Sequence, residues 1–152
     1  MIVAKRILLC LAHMSGNEMK FIQEAFDTNW VVPLGPNVDG FEHDLEAFVG
    51  QNKQVVALSS GTAAVHLALI ACGVKAGDEV MVQSFTFCAS SHPVTYLGAT
   101  PVFVDSECDT WNMDPVLLDK AIADRIAKTG RKPKAIIPVY LYGMPGKIKE
   151  IL

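Results

Sequence analysis

The sequence predicts an α/β fold, a three-layer open, mostly parallel sheet flanked by helices, and three observations carry that reading. From residue 55 onward, strand signals near 55–58, 79–83, 101–105 and 135–139 alternate with helical signals near 62–72, 88–97 and 115–128. The strands read VVAL, VMV, VFV and AIIPV, continuously apolar, as strands covered on both faces are. Gly73, Gly98 and Gly130 fall where the helices have to stop. Strands separated by helical segments of this length pair in parallel through right-handed crossovers.

Taken in order, the chain begins with Lys5-Arg6 and the apolar run 7–12, which imitates a signal sequence in miniature. The run is too short for an h-region and no small-x-small cleavage site follows, so a strand or structured arm is expected. Ser15 and Glu18 have capping-box spacing. Met19, Ile22, Ala25 and Phe26 then repeat at three and four residues, predicting a helix that ends near Asn29. Residues 30–37, punctuated by Pro33 and Pro36, are expected to be non-helical. So apolar a loop packs within the chain or belongs to a site or a partner. Phe41, Leu45, Phe48 and Val49 mark a second amphipathic helix closed by Gly50. Residues 1–50 thus supply helices and a loop, and residues 51–152 supply βα units.

Within those units, Val55 and Val56 enter the small-residue turn Ser59-Ser60-Gly61-Thr62, and residues 63–71 read as a buried helix rich in Ala and Leu. Asp114-Pro115 puts an acid at the cap and proline in the first turn of a later helix. After Tyr140-Leu141-Tyr142-Gly143, residues 145–152 begin another helix without a cap, so a truncated chain is expected.

Composition narrows the classes of function. At 152 residues, 51% hydrophobic and 19% charged, the chain is long and apolar enough for one globular domain. A net charge of −3 gives no basic footprint, which argues against a nucleic-acid partner. Cys10, Cys72, Cys88 and Cys108 form no CxxC pair, which fits a reduced, cytoplasmic protein. No segment is long enough for a membrane span.

In open α/β sheets, ligands collect at the carboxyl ends of the strands. The turn at 59–62 leaves the first N–H groups of the following helix unpaired at such an end, and these donors with the helix dipole and nearby hydroxyls suit a phosphate. Gly61 permits close backbone approach and Thr62 adds a hydroxyl. Read structurally, the same turn is only an N-cap. After the next strand, residues 83–88 bring two aromatics and two hydroxyls; one aromatic can stack on a flat heterocycle, or simply cover the core. His13, His43, His66 and His92 have no ligand spacing, and His66 reads as a satisfied core imidazole. Asp105 and Asp109 read as turn and cap residues. Neither GxGxxG nor GxxxxGK[ST] occurs, which counts against dinucleotide and nucleoside triphosphate binding.

At VALSSGTAAVHLAL, then GDEVMVQSFTFCASSHPVTYLGATPVFVD, then AIIPVYLYG, the chain resembles the DegT-type (DegT/DnrJ/StrS) sugar aminotransferases. HMSGNEMKFIQEAFDTNW and PLGPNVDGFE are similar to the family's opening segments. The resemblance implies the N-terminal part of the large domain of a type I transferase dependent on pyridoxal 5'-phosphate. It also implies a homodimer that takes an amine, usually from glutamate, to a keto sugar on a nucleotide. By position, Gly61, Thr62 and Ala63 match the turn that holds the cofactor phosphate, and Phe87 matches the aromatic against the pyridine ring. Tyr140 stands where the family commonly has histidine. The acid that pairs with the pyridine nitrogen and the lysine that bonds the cofactor have no matching position, so no catalytic residue is nominated. The expectation is a fragment inactive alone; a non-catalytic accessory chain and a sugar dehydratase of the same family are the alternatives.

Overall fold

A computed structural model describes residues 8, 11–50 and 52–152. The expected N-terminal strand or arm around Lys5, Arg6 and Cys10 lies outside the described residues. The chain forms two compact units, Met1–Ala57 and Leu58–Leu152. No helix among the described residues is long and apolar enough to cross a membrane.

The first unit holds α1 (Glu18–Asp27) and α2 (Pro36–Val49). The capping box forms in part. The Glu18 carboxylate accepts the Ser15 and Gly16 N–H groups at 2.6 and 2.9 Å, but the Ser15 hydroxyl accepts from Asn17 rather than Glu18. The helix starts earlier than Phe41 because Pro36, expected to break it, occupies its first turn, where a missing N–H costs nothing. Gly35 is required just before it: its φ is +120°, and a Cβ there would lie 2.7 Å from the Trp30 ring. The strand expected at 55–58 is absent. Glu42 and Glu46 of α2 accept the N–H groups of Ala57 and Val55 at 2.7 and 3.0 Å, so two side chains occupy donors that a ladder would use.

The second unit runs α3 (Gly61–Ala71), β1 (Glu79–Gln83), α4 (His92–Tyr96), β2 (Thr100–Val104), α5 (Pro115–Thr129), β3 (Ala135–Ile137) and α6 (Ile148–Ile151). Its sheet is parallel in the order β2-β1-β3. Successive side chains of the central strand point to opposite faces. Val80 and Val82 pack with Leu69, Val74, Val94 and Ala99 under α3 and α4. Met81 packs with Val104, Met113 and Leu118 under α5, giving the three layers expected. All three β1 residues are fully buried. Helix α3 is less enclosed than its composition predicts: Leu69 is buried, but Leu67 and Ile70 remain 46% and 49% exposed. His66 is half-buried, its ring edge-on to Tyr96. The Arg125 guanidinium of α5 forks onto Glu79 at the start of β1, with Nη2 at 2.6 Å and Nε at 3.0 Å.

Between β2 and α5 the chain makes a tight excursion, pinned by a bridge between Ser106 and Met113 and by the Asp114 carboxylate, which accepts from Val116 and Leu117 at the start of α5. Inside it, the buried Glu107 carboxylate accepts from the Thr110 hydroxyl, the N–H groups of Asp109 and Thr110 at 2.8 Å, and the Lys147 ammonium at 3.1 Å. These donors, the Thr110 hydroxyl foremost, hold Glu107 at about 2, well below its ordinary 4.5.

Two outcomes follow from this packing. Met81→Ala empties volume on a closed face and should cost roughly 2–5 kcal/mol by urea denaturation. Phe103→Ala, at a sheet edge where the ring is 56% exposed, should cost clearly less. A folded-state value below the unfolded one stabilises the fold above pH 4.5, and that stabilisation is lost as pH falls toward 2. Glu107→Gln should therefore flatten the fall of the urea midpoint below pH 4.5, relative to the unsubstituted chain.

Candidate functional site

The order β2-β1-β3 creates a crevice. The chain leaves β1 to one side to make β2, then crosses back over β1 to make β3. The connections after β1 and β3 diverge to opposite faces, and an open α/β sheet offers its ligand crevice at such a switch point. Residues following these two strands line an open pocket of about 460 Å³: Phe85, Thr86, Phe87 and Ser90 on one side, Val139, Tyr140, Leu141 and Tyr142 on the other.

Phe87, singled out from the sequence, stands on the pocket rim and is 77% exposed. It caps a short 3-10 turn, Cys88–Ser90, that packs against α3. Phe85 is held edge-on against Trp111 with ring centres 6.2 Å apart. The Thr86 and Ser90 hydroxyls share a hydrogen bond of 2.8 Å across the turn.

Gly61, Thr62 and Ala63 form the first turn of α3 and lie outside the pocket lining. Ser60 caps the helix: its hydroxyl accepts the Ala63 N–H at 3.2 Å and its carbonyl accepts the Ala64 N–H at 3.1 Å. The Ala63 donor expected to be free is thus already used, whereas the Gly61 and Thr62 N–H groups have no partner among the described residues. Neither conformation nor crowding demands glycine at 61, since its φ is not positive and a Cβ there would meet nothing within 4 Å. Open space, two unpaired amides, a hydroxyl and the positive end of an eleven-residue helix fit a phosphate group.

The sequence reading assigned no role to the two side chains that hold the sides of the pocket in place. Gln83, the last residue of β1, is fully buried, and Asn112 is 2% exposed. The Gln83 Oε1 accepts the N–H groups of Met113 at 2.9 Å and Val139 at 3.3 Å, while Nε2 donates to the Phe85 carbonyl at 2.9 Å. Asn112 Oδ1 accepts the Leu141 N–H and Nδ2 donates to the Met144 carbonyl, both at 2.8 Å. A glutamine closing an otherwise apolar strand was the available signal for the first; nothing local marks the second. Trp111 and Tyr142 adopt left-handed backbone at φ 62° and 51°, an arrangement bulky residues hold only when their surroundings impose it.

Among the described residues no lysine lines the pocket. Lys147 is bound at 2.9 Å to Asp109 and 3.1 Å to Glu107, which together raise its ammonium above the ordinary range. Asp105 accepts from the Ser106 N–H and the Ser84 hydroxyl, and Asp109 serves the Lys147 pair. Cys72, Cys88 and Cys108 are free, exposed thiols.

Known proteins are similar to this chain in sequence and fold. EpsN of Bacillus subtilis (strain 168), a provisionally assigned pyridoxal phosphate-dependent aminotransferase, is 51% identical over 148 residues, covering 97% of this chain and 38% of EpsN. GDP-perosamine synthase of Caulobacter vibrioides is 41% identical over 147 residues, again 97% of this chain and 38% of the relative. Among solved structures, a DegT/DnrJ/EryC1/StrS aminotransferase from Brucella abortus superposes with a TM-score of 0.75 at 35% identity, over 91% of this chain and 40% of that one. The PLP form of a provisionally assigned sugar aminotransferase from Streptococcus pneumoniae gives a TM-score of 0.79 at 32% identity, over 97% and 35%. The chain therefore spans under two-fifths of the length of these two sequence relatives. The family's profile matches residues 13–152, and the chain belongs to the DegT/DnrJ/EryC1/StrS aminotransferase family, whose cofactor is pyridoxal phosphate.

Proposed function

We propose that this chain supplies the phosphate anchor and one ring-binding wall of a pyridoxal phosphate-dependent aminotransferase that acts on nucleotide-linked keto sugars. The observation that carries the reading is the open first turn of α3, with unpaired amides at Gly61 and Thr62, in the unit whose sheet opens its crevice between β1 and β3. In this reading the N–H groups of Gly61 and Thr62 and the Thr62 hydroxyl donate to the cofactor phosphate. Ala63 contributes shape, because its N–H belongs to Ser60. Phe87, exposed at the rim, covers one face of the ring. Once bound, the cofactor would supply an electron sink for the carbon that carries the amine.

What the chain's own residues do is bind and orient. No pocket lysine is at hand among the described residues to move a proton or bond the cofactor, so in this reading the chain by itself is an incomplete catalyst. The complete enzyme is taken to be a cytoplasmic homodimer that receives its amine from glutamate and passes it to a nucleotide sugar. The exposed apolar side chains of the first unit, Phe26, Val31, Leu34 and Phe48 among them, support an assembly that covers them.

Two outcomes test this. Thr62→Ala removes a hydrogen bond to a charged group and should weaken pyridoxal phosphate binding by roughly 10- to 100-fold, read by calorimetry, without lowering the melting temperature. The purified chain given cofactor, glutamate and a keto-sugar nucleotide should show no steady transamination; sustained turnover would refute the incomplete-catalyst reading.

A further inference from the structure

Beyond Ile137 the third strand stops pairing, yet the segment after it stays in place. Its ladder with β1 ends at Val82 and Ile137, and residues 138–144 carry no sheet bonds. Within that segment the Val139 N–H is taken by Gln83 at 3.3 Å, and the Leu141 N–H and Met144 carbonyl by Asn112 at 2.8 Å each. The same Gln83 side chain reaches the opposite rim, donating to the Phe85 carbonyl at 2.9 Å. Asn112 is itself fixed: its Nδ2 also meets the Thr110 hydroxyl at 3.2 Å, and Gly146 lies so close that an added Cβ would sit 3.2 Å from the Asn112 Cβ. The left-handed Tyr142 stands between the two anchored points, Leu141 and Met144.

Resting on the cofactor reading above, we propose that Gln83 and Asn112 are positioning residues that set the gap between the aromatic rims 85–87 and 140–142, and so decide whether a flat ring fits. Neither lines the pocket. Their effect is on the ring, not on the phosphate, whose donors belong to α3. That separation makes the role measurable.

The experiment uses this chain with three probes: pyridoxal 5'-phosphate, pyridoxal without its phosphate, and inorganic phosphate. For Asn112→Ala, amide hydrogen exchange in peptides covering 138–144 should accelerate at least about tenfold while α5 exchanges as before. Affinity for both ring compounds should fall about tenfold, and affinity for inorganic phosphate should not change. Thr62→Ala should give the mirror image, losing phosphate affinity and keeping pyridoxal. Asn112→Ser keeps a shorter, neutral polar group at the same place and should show a smaller loss in the same direction; it serves if the alanine variant does not fold. Unchanged pyridoxal affinity in a loosened Asn112 variant, or unchanged exchange, overturns the positioning role alone. An unsubstituted chain that binds inorganic phosphate but neither ring compound overturns the cofactor reading and the positioning role with it.

Discussion

A strand that ends inside a protein leaves backbone groups that still need partners, and Gln83 meets that constraint for the central strand. Its carboxamide continues the work of the ladder where the ladder stops, accepting from Met113 and Val139 and donating to Phe85. An unpaired buried amide or carbonyl costs about 1–3 kcal/mol, so one side chain that serves three such groups decides whether the carboxyl end of the sheet is ordered. Asn112 extends the arrangement outward to Leu141 and Met144. The crevice is thus built on satisfied polar groups. At the start of α3 the reverse holds: the Gly61 and Thr62 N–H groups have no partner among the described residues.

That contrast gives the site its logic. Near the strand ends the carboxamides of Gln83 and Asn112 are fully partnered, although the buried Ser106 hydroxyl has no partner among the described residues; the donors left over at the start of α3 are those the proposed cofactor phosphate would use. The aromatic residues follow the same division. Trp111 steadies Phe85 from the side, whereas Phe87 touches little and is 77% exposed. A side chain that covers core surface would be buried, and Phe87 is not. The exposure is intelligible if something flat is to lie against it.

Much of the second unit was readable because its signals are local. Asp114 announces a helix start through its own geometry and accepts from Val116 and Leu117 as its position requires. Gly73, Gly98 and Gly130 stop helices because each takes a positive φ that other residues resist. The readings that failed concern partners distant in sequence. Val55 and Val56 have the character of a strand, but whether they join a ladder depends on what lies beside them, and here that is the carboxylates of α2. The composition of α3 says apolar without saying how much of that surface the rest of the chain covers. Asn112 meets its most distant partner 32 residues away, beyond any periodicity. Gly61, Thr62 and Phe87 were nominated from residue type and order and remain part of the proposal, whereas the loss of the Ala63 donor to Ser60 was a matter of cap geometry.

The side chains that hold the pocket walls are neutral while the pair beside them is charged, and the difference follows from how far water reaches each. Gln83 and Asn112 are almost wholly enclosed, where an ion would face a large desolvation cost and an amide faces little once bonded. Glu107 is itself only 7% exposed, but its partner Lys147 is 32% exposed, so water reaches the pair and moderates that cost. The two layers meet directly, because the Glu107 N–H donates to the Asn112 carbonyl at 2.9 Å and Thr110 touches both side chains. These neutral side chains contribute no fixed charge to the crevice. They also do not titrate. Acid that protonates Glu107 would first loosen the charged pair, and the separation of the rims would follow only as far as Asn112 is carried along. Shape and charge are assigned to different residues, which lets the chain fix one without disturbing the other.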